Sequence, residues 1–252
     1  MSFAVAGEAY DRYIGRYSRL IAPRFLEFAG VAAGPVLDVG CGPGSLTEVL
    51  AARFGATSVK AVDPSDSFVA ACRARVPGAD VRRGSAEQLP FADQSFQGAL
   101  SQLVLSFISD AERAAAEMRR VLRPGGAAAA CTFESGGFAL VKTFWEAARG
   151  LDPAAIDDAR LPFRRTGELV SLWKGAGFRD VATEVIEVAA EYRDFDDYWG
   201  PFAFGIGPAG EYLKSQPGSR QDALREACFE ILGRPARPFS LPARVIAVRG
   251  LA

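Results

Sequence analysis

The sequence predicts an α/β fold: a doubly wound, mostly parallel seven-stranded sheet with helices on both faces. Three observations carry that expectation. Residues 36–50 read as a buried strand, a glycine loop and a helix start. An acid closes a second strand about 20 residues beyond the loop. From about Gly34 to Glu134, short apolar strands alternate with amphipathic helices at crossover spacing.

The first unit reads V-L-D-V-G-C-G-P-G-S-L-T from Val36 to Thr47. Val36, Leu37 and Val39 suit a buried parallel strand, the glycines open a tight turn, and Leu46, Val49 and Leu50 begin helical spacing. A loop without Cβ atoms lets a ligand lie against the backbone, facing the unpaired amides of the first helical turn. Such a loop suits a nucleotide-like cofactor.

Its spacing narrows the chemistry. A dinucleotide fingerprint needs G-x-G-x-x-G. Here the glycines fall as G-x-G-x-G, position 45 is Ser, and no Gly-Lys-Ser/Thr follows to make a phosphate loop. Asp38, just ahead of the loop, would repel a pyrophosphate but not an ammonium or sulfonium group. The run from Asp38 to Gly44 resembles the first motif of the class I S-adenosylmethionine (SAM) methyltransferases, D-x-G-x-G-x-G. The resemblance implies a Rossmann-like fold that holds SAM at Asp38, Gly40, Gly42 and Gly44.

The next segments extend it. Ser58 to Val62 is a second strand ending in Asp63, where nucleoside-binding folds of this type place an acid on the ribose. Asp63, with Pro64 and Ser65, is expected there, although an Asp-Pro pair by itself is ordinary turn punctuation. A third strand around Val81 and Arg82 runs into Gly84-Ser85-Ala86-Glu87-Gln88-Leu89-Pro90-Phe91. In the resembling family this stretch reads G-D-A-x-x-L-P-F and meets the adenine, which implies a site at Ser85, Ala86 and Glu87. Ser85 stands where the family has an acid. A hydroxyl loses the charge assistance, which costs about 1 kcal/mol of adenine affinity.

Gly98 to Ser101 reads as a fourth strand, preceded by Gln97 where relatives commonly have an acid. Gln102 follows, in the region that the resemblance places beside the methionine half of SAM; Ser106 and Phe107 stand where many relatives carry a His pair. Asp110 can cap a helix with Ala111, Ala115, Met118 and Leu122 at helical spacing, stopped by Arg123-Pro124-Gly125-Gly126. Ala127 to Phe133 then reads as a small-residue fifth strand under close-packed helices.

Beyond Phe133 the texture changes. Thr166 can cap a helix bearing Leu169, Leu172 and Trp173, ended by Gly175 or Gly177. Phe178 to Tyr192 reads as the sixth strand and Arg244 to Val248 as the seventh. Between them lies an aromatic segment, Phe195 to Phe204, and a helical stretch near Ala223 to Leu232. The aromatics form either a satellite core or the wall of an apolar cleft. Relatives of the ubiquinone/menaquinone-biosynthesis type, type 11, share a D-D-Y-W-x-P-F segment and a similar last strand. The resemblance thus covers nearly all of residues 1–252 and implies one domain. Residues 1–30 form N-terminal lid helices in that picture, and helical insertions at 135–165 and 194–238 form a substrate cap. Arg16, in the lid, would grip a carboxylate of the cofactor as a bidentate donor.

Bulk properties set limits. With 252 residues, 49 % hydrophobic, the chain reads as an ordinary globular enzyme. No apolar run approaches the roughly 18 residues of a membrane span, and no leader pattern opens the chain, so a cytoplasmic protein is expected. The balance of 29 basic and 30 acidic residues, net −1, lacks a nucleic-acid footprint. The pairs Arg82-Arg83, Arg119-Arg120 and Arg164-Arg165 read as solvated or acid-flanked. Four scattered cysteines and no histidine suggest neither zinc nor disulfides and argue against His-based catalysis.

The leading expectation is therefore methyl transfer from SAM to oxygen, nitrogen or carbon of a small, partly apolar acceptor, by a monomer or homodimer and without a metal. A nicotinamide-dependent oxidoreductase, a non-catalytic SAM-binding protein and an RNA methyltransferase are the rivals. Glu134 and Tyr17 are candidate bases.

Overall fold

The computed structural model describes residues 10–155, 161–205 and 207–252. Residues 1–9 of the expected lid, 156–160 of the first expected insertion and Ile206 of the second lie outside the described residues. A π-helical turn (Asp11–Gly15) leads into α1 (Arg16–Ala29), followed by β1 (Val36–Val39), α2 (Ser45–Phe54), β2 (Val59–Asp63), α3 (Asp66–Arg75) and β3 (Asp80–Arg83). Then come β4 (Phe96–Gln102), α4 (Ala111–Val121), β5 (Leu122–Phe138), α5 (Ala139–Leu151), α6 (Thr166–Gly175) and β6 (Arg179–Tyr192). The chain closes with α7 (Phe195–Trp199), a 3-10 turn (Gly200–Phe204), α8 (Gly207–Ser215), α9 (Gly218–Ile231) and β7 (Phe239–Leu251).

All seven predicted strands form one sheet in the order β3-β2-β1-β4-β5-β7-β6. The first five are parallel. β7 runs antiparallel to both β5 and β6, wedged between them. Strand order reverses at β1, between β2 and β4, which opens a crevice at the carboxyl ends of these strands.

Strand alternation explains the two cores. Ala127, Ala129 and Cys131 of β5 join Val36, Leu46 and Leu50 beneath α1, α2 and α5. Ala128 and Ala130 join Leu37, Val39, Ile246 and Val248 beneath α4 and α6. The alanine run is a strand because both of its faces are covered at close range, which overrides alanine's helical propensity. α1 is a core helix: Tyr17, Ile21 and Phe25 recur four residues apart and are fully buried.

Some boundaries differ from expectation. Ser58 closes a 3-10 turn, so β2 begins at Val59. Leu122 leaves the helix and pairs with Phe96 as the start of β5. Thr166 is the first residue of α6 rather than its cap; the Glu168 carboxylate instead accepts the N–H groups of Arg164 and Arg165. Among the described residues no helix is long and apolar enough to cross a membrane.

Candidate functional site

The glycine loop between β1 and α2 is fixed from below. The N–H groups of Gly40 and Cys41 both donate to the carbonyl of Val62, at 2.8 and 2.9 Å, which ties the loop to the tip of β2. Its glycines have separate jobs. Gly40 (φ +76°) has no room for a side chain, since a Cβ would lie 2.6 Å from the Val104 methyls. Gly42 (φ +53°) has no atom within 4 Å of where a Cβ would stand, so its open side faces space. Gly44 (φ +97°) lets α2 approach α3, with a Cβ there only 2.9 Å from Cys72 Sγ.

That space is a cavity of about 400 Å³ over the carboxyl ends of β1, β2 and β4, within the range of small-molecule sites. Asp38, Gly40, Gly42, Asp63, Pro64 and Ser65 line one side. Ser85, Ala86, Glu87 and Gln102 line it from the adjoining strands. Phe107, Phe133, Phe138 and Val141 make an apolar wall, with Arg164 among them.

Asp63 closes the loop onto β2. One carboxylate oxygen accepts the Gly42 N–H and the other the Ser65 N–H, both at 2.9 Å. Burial raises its pKa, and these two hydrogen bonds oppose the rise. Each carboxylate oxygen keeps a further acceptor site. Asp38 is 1 % exposed. One oxygen accepts the Thr47 hydroxyl at 2.6 Å, and the other has no partner. Burial pushes its pKa up to about 7, against the Thr47 hydrogen bond and with help from the charge of Asp63. Both carboxyls would gain from a cation or a donor entering the cavity.

Ser85 and Glu87 act as a pair: the Ser85 hydroxyl donates to the Glu87 carboxylate, and the Glu87 N–H donates back to Ser85 Oγ at 3.3 Å. Although burial raises it, the Glu87 pKa is lowered overall by the Ser85 hydroxyl and nearby backbone N–H groups. An acid therefore stands at this edge, two residues later than the family pattern has it. Gln102 donates to the Ser18 carbonyl at 3.1 Å, leaving its buried Oε1 without a partner.

The structure does not bring every expected residue here. Gly44 packs on Cys72 as described and is not in the cavity wall. Arg16 is turned away: it donates to the Glu191 carbonyl at 3.0 Å, pairs with Asp197 at 3.1 Å and stacks over Tyr192. Tyr17 is fully buried outside the cavity, bonded to the Tyr192 hydroxyl and the Leu241 carbonyl. Burial raises its pKa well above the ordinary phenol range. Glu134 pairs with Arg244 at 2.7 Å and does not line the cavity. Gln97 lies within β4, its N–H donating to the Pro35 carbonyl.

Other residues were missed. In the N-terminal segment, whose Tyr and Arg side chains the resemblance directs to the cofactor, Tyr10 and Tyr13 do line the cavity while Arg16 does not, and Ile14 and Ser18 join them unforeseen. Ser45 lines the cavity with a buried, unpartnered hydroxyl. Arg164, read as part of a solvated pair, is only 6 % exposed. No local signal marks it, because its burial is made by β5 and the loop before α6.

Comparison with known proteins agrees with this geometry. Residues 37–130 match the family model described as a methyltransferase domain. The chain is 31 % identical over 198 residues to a malonyl-[acyl-carrier protein] O-methyltransferase of Herminiimonas arsenicoxydans, covering 77 % of this chain and 71 % of that protein. A protein of the same description from Methylococcus capsulatus is 33 % identical over 159 residues, covering 60 % and 56 %. Across the first four such relatives the chain spans 55 to 67 % of their length. The fold also matches Haemonchus contortus phosphoethanolamine N-methyltransferase 2 in complex with SAM, with a TM-score of 0.57 and 17 % identity, over 99 % of this chain and 60 % of that one.

Proposed function

We propose that this chain, which belongs to the class I, type 11 SAM-dependent methyltransferases, transfers the methyl group of SAM to a nucleophilic oxygen, nitrogen or carbon on a small, partly apolar molecule. One observation carries the reading: the Asp63 carboxylate, held beside the open face of Gly42, shares a cavity with an aromatic and aliphatic wall.

The residues present fit SAM. Asp38, Asp63 and Glu87 all line the cavity, so a pyrophosphate would meet three carboxylates while a ligand carrying ammonium and sulfonium charges would be drawn in. In this reading Asp63, with Pro64 and Ser65, takes the ribose hydroxyls. Ser85, Ala86 and Glu87 take the adenine edge, and Asp38 and Gln102 face the amino-acid half. The open backbone at Gly40 and Gly42 lets the cofactor lie close. When bound, SAM supplies an electrophilic methyl for in-line displacement.

The protein's own work is alignment and exclusion of water, together worth several kcal/mol. Phe133, Phe138 and Val141 provide the dry wall, and Tyr10, Tyr13 and Ile14 close the N-terminal side. We read residues 1–252 as a single domain with 135–165 and 194–238 as a cap; within the expected lid of residues 1–30, α1 is a core helix, and Tyr10, Tyr13 and Ile14 ahead of it close the cavity. The protein would act as a monomer or homodimer in the cytoplasm, away from nucleic acid and membrane.

Calorimetry with SAM and NAD tests the cofactor, and transfer of labelled methyl to a panel of acids, phenols, amines and alcohols tests the reaction. SAM binding and label transfer are expected. NAD binding in place of SAM would overturn the assignment, and SAM binding without transfer to any acceptor would leave a cofactor-binding protein without catalysis.

A further inference from the structure

We propose that Asp11 and Arg75 are positioning residues whose ion pair latches residues 10–15 over the cofactor half of the cavity and limits how fast the cofactor leaves; this rests on the SAM reading above. Residues 10–15 form a strap. Tyr10, Tyr13 and Ile14 face the cavity from it. Tyr10 packs edge-on against Phe68 of α3, with ring centroids 5.3 Å apart, and Phe68 itself lines the cavity. Tyr13 packs edge-on against Phe202 of the 3-10 turn, at 5.4 Å. The strap therefore bridges the helix that follows Asp63 and the aromatic segment of the second insertion. Burial pushes the Tyr10 phenol up to about 12, opposed by a hydrogen bond with Ser18 and assisted by the charges of Asp63 and Asp11. Tyr10 thus stands beside the acid assigned to the ribose.

A charged contact fastens the strap to the same helix. Arg75, the last residue of α3, donates from Nη2 to Asp11 Oδ2. The two side chains are only 22 % and 20 % exposed, so the pair is largely shielded from water, where a charged hydrogen bond is stronger than at the surface. Arg19 approaches Asp11 Oδ1 at 3.5 Å but is 47 % exposed, a weaker contact. Neither Asp11 nor Arg75 lines the cavity, so both act on its contents through the strap. Gly15 gives the latch its room. Its backbone is helical, with φ −59°, so the conformation does not call for glycine. A Cβ there, however, would lie 2.5 Å from Asp11 Oδ1. The carboxylate folds back over Gly15 within a π-helical turn, a rare form that occurs mostly as single turns at functional sites.

The consequence is kinetic. A ligand that passes between the strap and α3 requires the Tyr10–Phe68 contact to part, and the Asp11–Arg75 pair spans that same gap. Breaking the pair lowers the cost of opening without removing any group that touches the ligand, so its loss appears in the dissociation rate.

The test follows dissociation of methyl-labelled SAM from the full chain, chased with excess unlabelled S-adenosylhomocysteine and sampled by rapid filtration, beside thermal melting of each variant. Asp11→Asn and Arg75→Gln should each speed dissociation about tenfold. The double variant should be no faster than either, because a single interaction is lost. Arg75→Lys, which keeps the charge, should stay within about threefold of wild type, and Arg19→Gln, which removes the exposed partner, within about twofold. Gly15→Ala should speed dissociation as Asp11→Asn does while melting no earlier than wild type, since alanine suits the helical backbone and displaces only the carboxylate. Unchanged dissociation in folded Asp11→Asn and Arg75→Gln overturns the latch and spares the cofactor reading. A double variant about a hundredfold faster than wild type also overturns it, because the two residues would then act independently. Wild-type protein that binds no SAM overturns both readings.

Discussion

Replacing Asp38 by Asn should make the unliganded protein respond differently to pH. In the wild type, burial holds the Asp38 pKa at about 7 instead of 3.8. The folded-state pKa thus lies above the unfolded one, so the stability Asp38 contributes is full below pH ~4 and is lost progressively as pH rises to about 7. At about 1.4 kcal/mol per pH unit, the cost of ionising it reaches roughly 4 kcal/mol at pH 8 and roughly 1.5 kcal/mol at pH 5. Asn does not titrate, and its carbonyl can still accept the Thr47 hydroxyl that Asp38 receives at 2.6 Å. Its NH₂ inherits the partnerless side of the carboxyl, a penalty of about 1–3 kcal/mol that does not depend on pH. The stability of Asp38→Asn relative to wild type should therefore rise by roughly 2–3 kcal/mol between pH 5 and pH 8. Urea unfolding of both proteins at the two pH values measures this directly. A stability difference that stays constant between them would refute the claim that Asp38 is a desolvated, half-satisfied carboxyl.

Asp63→Ala should weaken SAM binding by about 1.5–3 kcal/mol through loss of a charged acceptor; unchanged affinity in calorimetry would remove Asp63 from the site. Gly42→Ala and Gly44→Ala should separate ligand approach from packing. A Cβ at Gly42 enters open space beside the cavity, whereas one at Gly44 meets Cys72 Sγ at 2.9 Å. Gly44→Ala should therefore cost more stability, about 2–3 kcal/mol against about 1 kcal/mol, and Gly42→Ala more SAM affinity, as read by thermal melts and calorimetry. Tyr17→Phe should lower stability by about 1 kcal/mol through loss of its hydrogen bonds to Tyr192 and Leu241. Methyl transfer should persist in that variant, and a collapse of turnover at unchanged SAM affinity would restore Tyr17 as a base.

How far the sequence could be read depends on distance along the chain. The first loop was legible because its glycine spacing, the apolar strand before it and the helical spacing after it lie within one short run. Asp63 was legible for the same reason, since parallel pairing of β1 with β2 puts the strand tips side by side. β5 was found through its setting, an alanine run after Pro-Gly-Gly, but its start at Leu122 was missed because only pairing with Phe96 ends the helix there. Ser85 was seen as a departure, yet its hydrogen bond to Glu87 was not.

The expected residues that the structure places away from the cavity are those whose side chains can choose among distant partners. Arg16 carries the chemistry to bind a cofactor carboxylate, but Glu191 and Asp197, brought close by the packing of α1 on β6, take it instead. Tyr17 and Glu134 are claimed in the same way by Tyr192 and Arg244. Arg164 goes the other way, drawn out of an apparently solvated pair to the end of β5. The sequence alone determined the sheet, the glycine loop and the acid beside it, because these follow from backbone conformations that neighbouring residues impose. Only the tertiary structure decided which charged and hydroxyl groups reach the cavity, because a hydrogen bond is won by whichever partner the packing holds nearest, and that partner is far away in the chain.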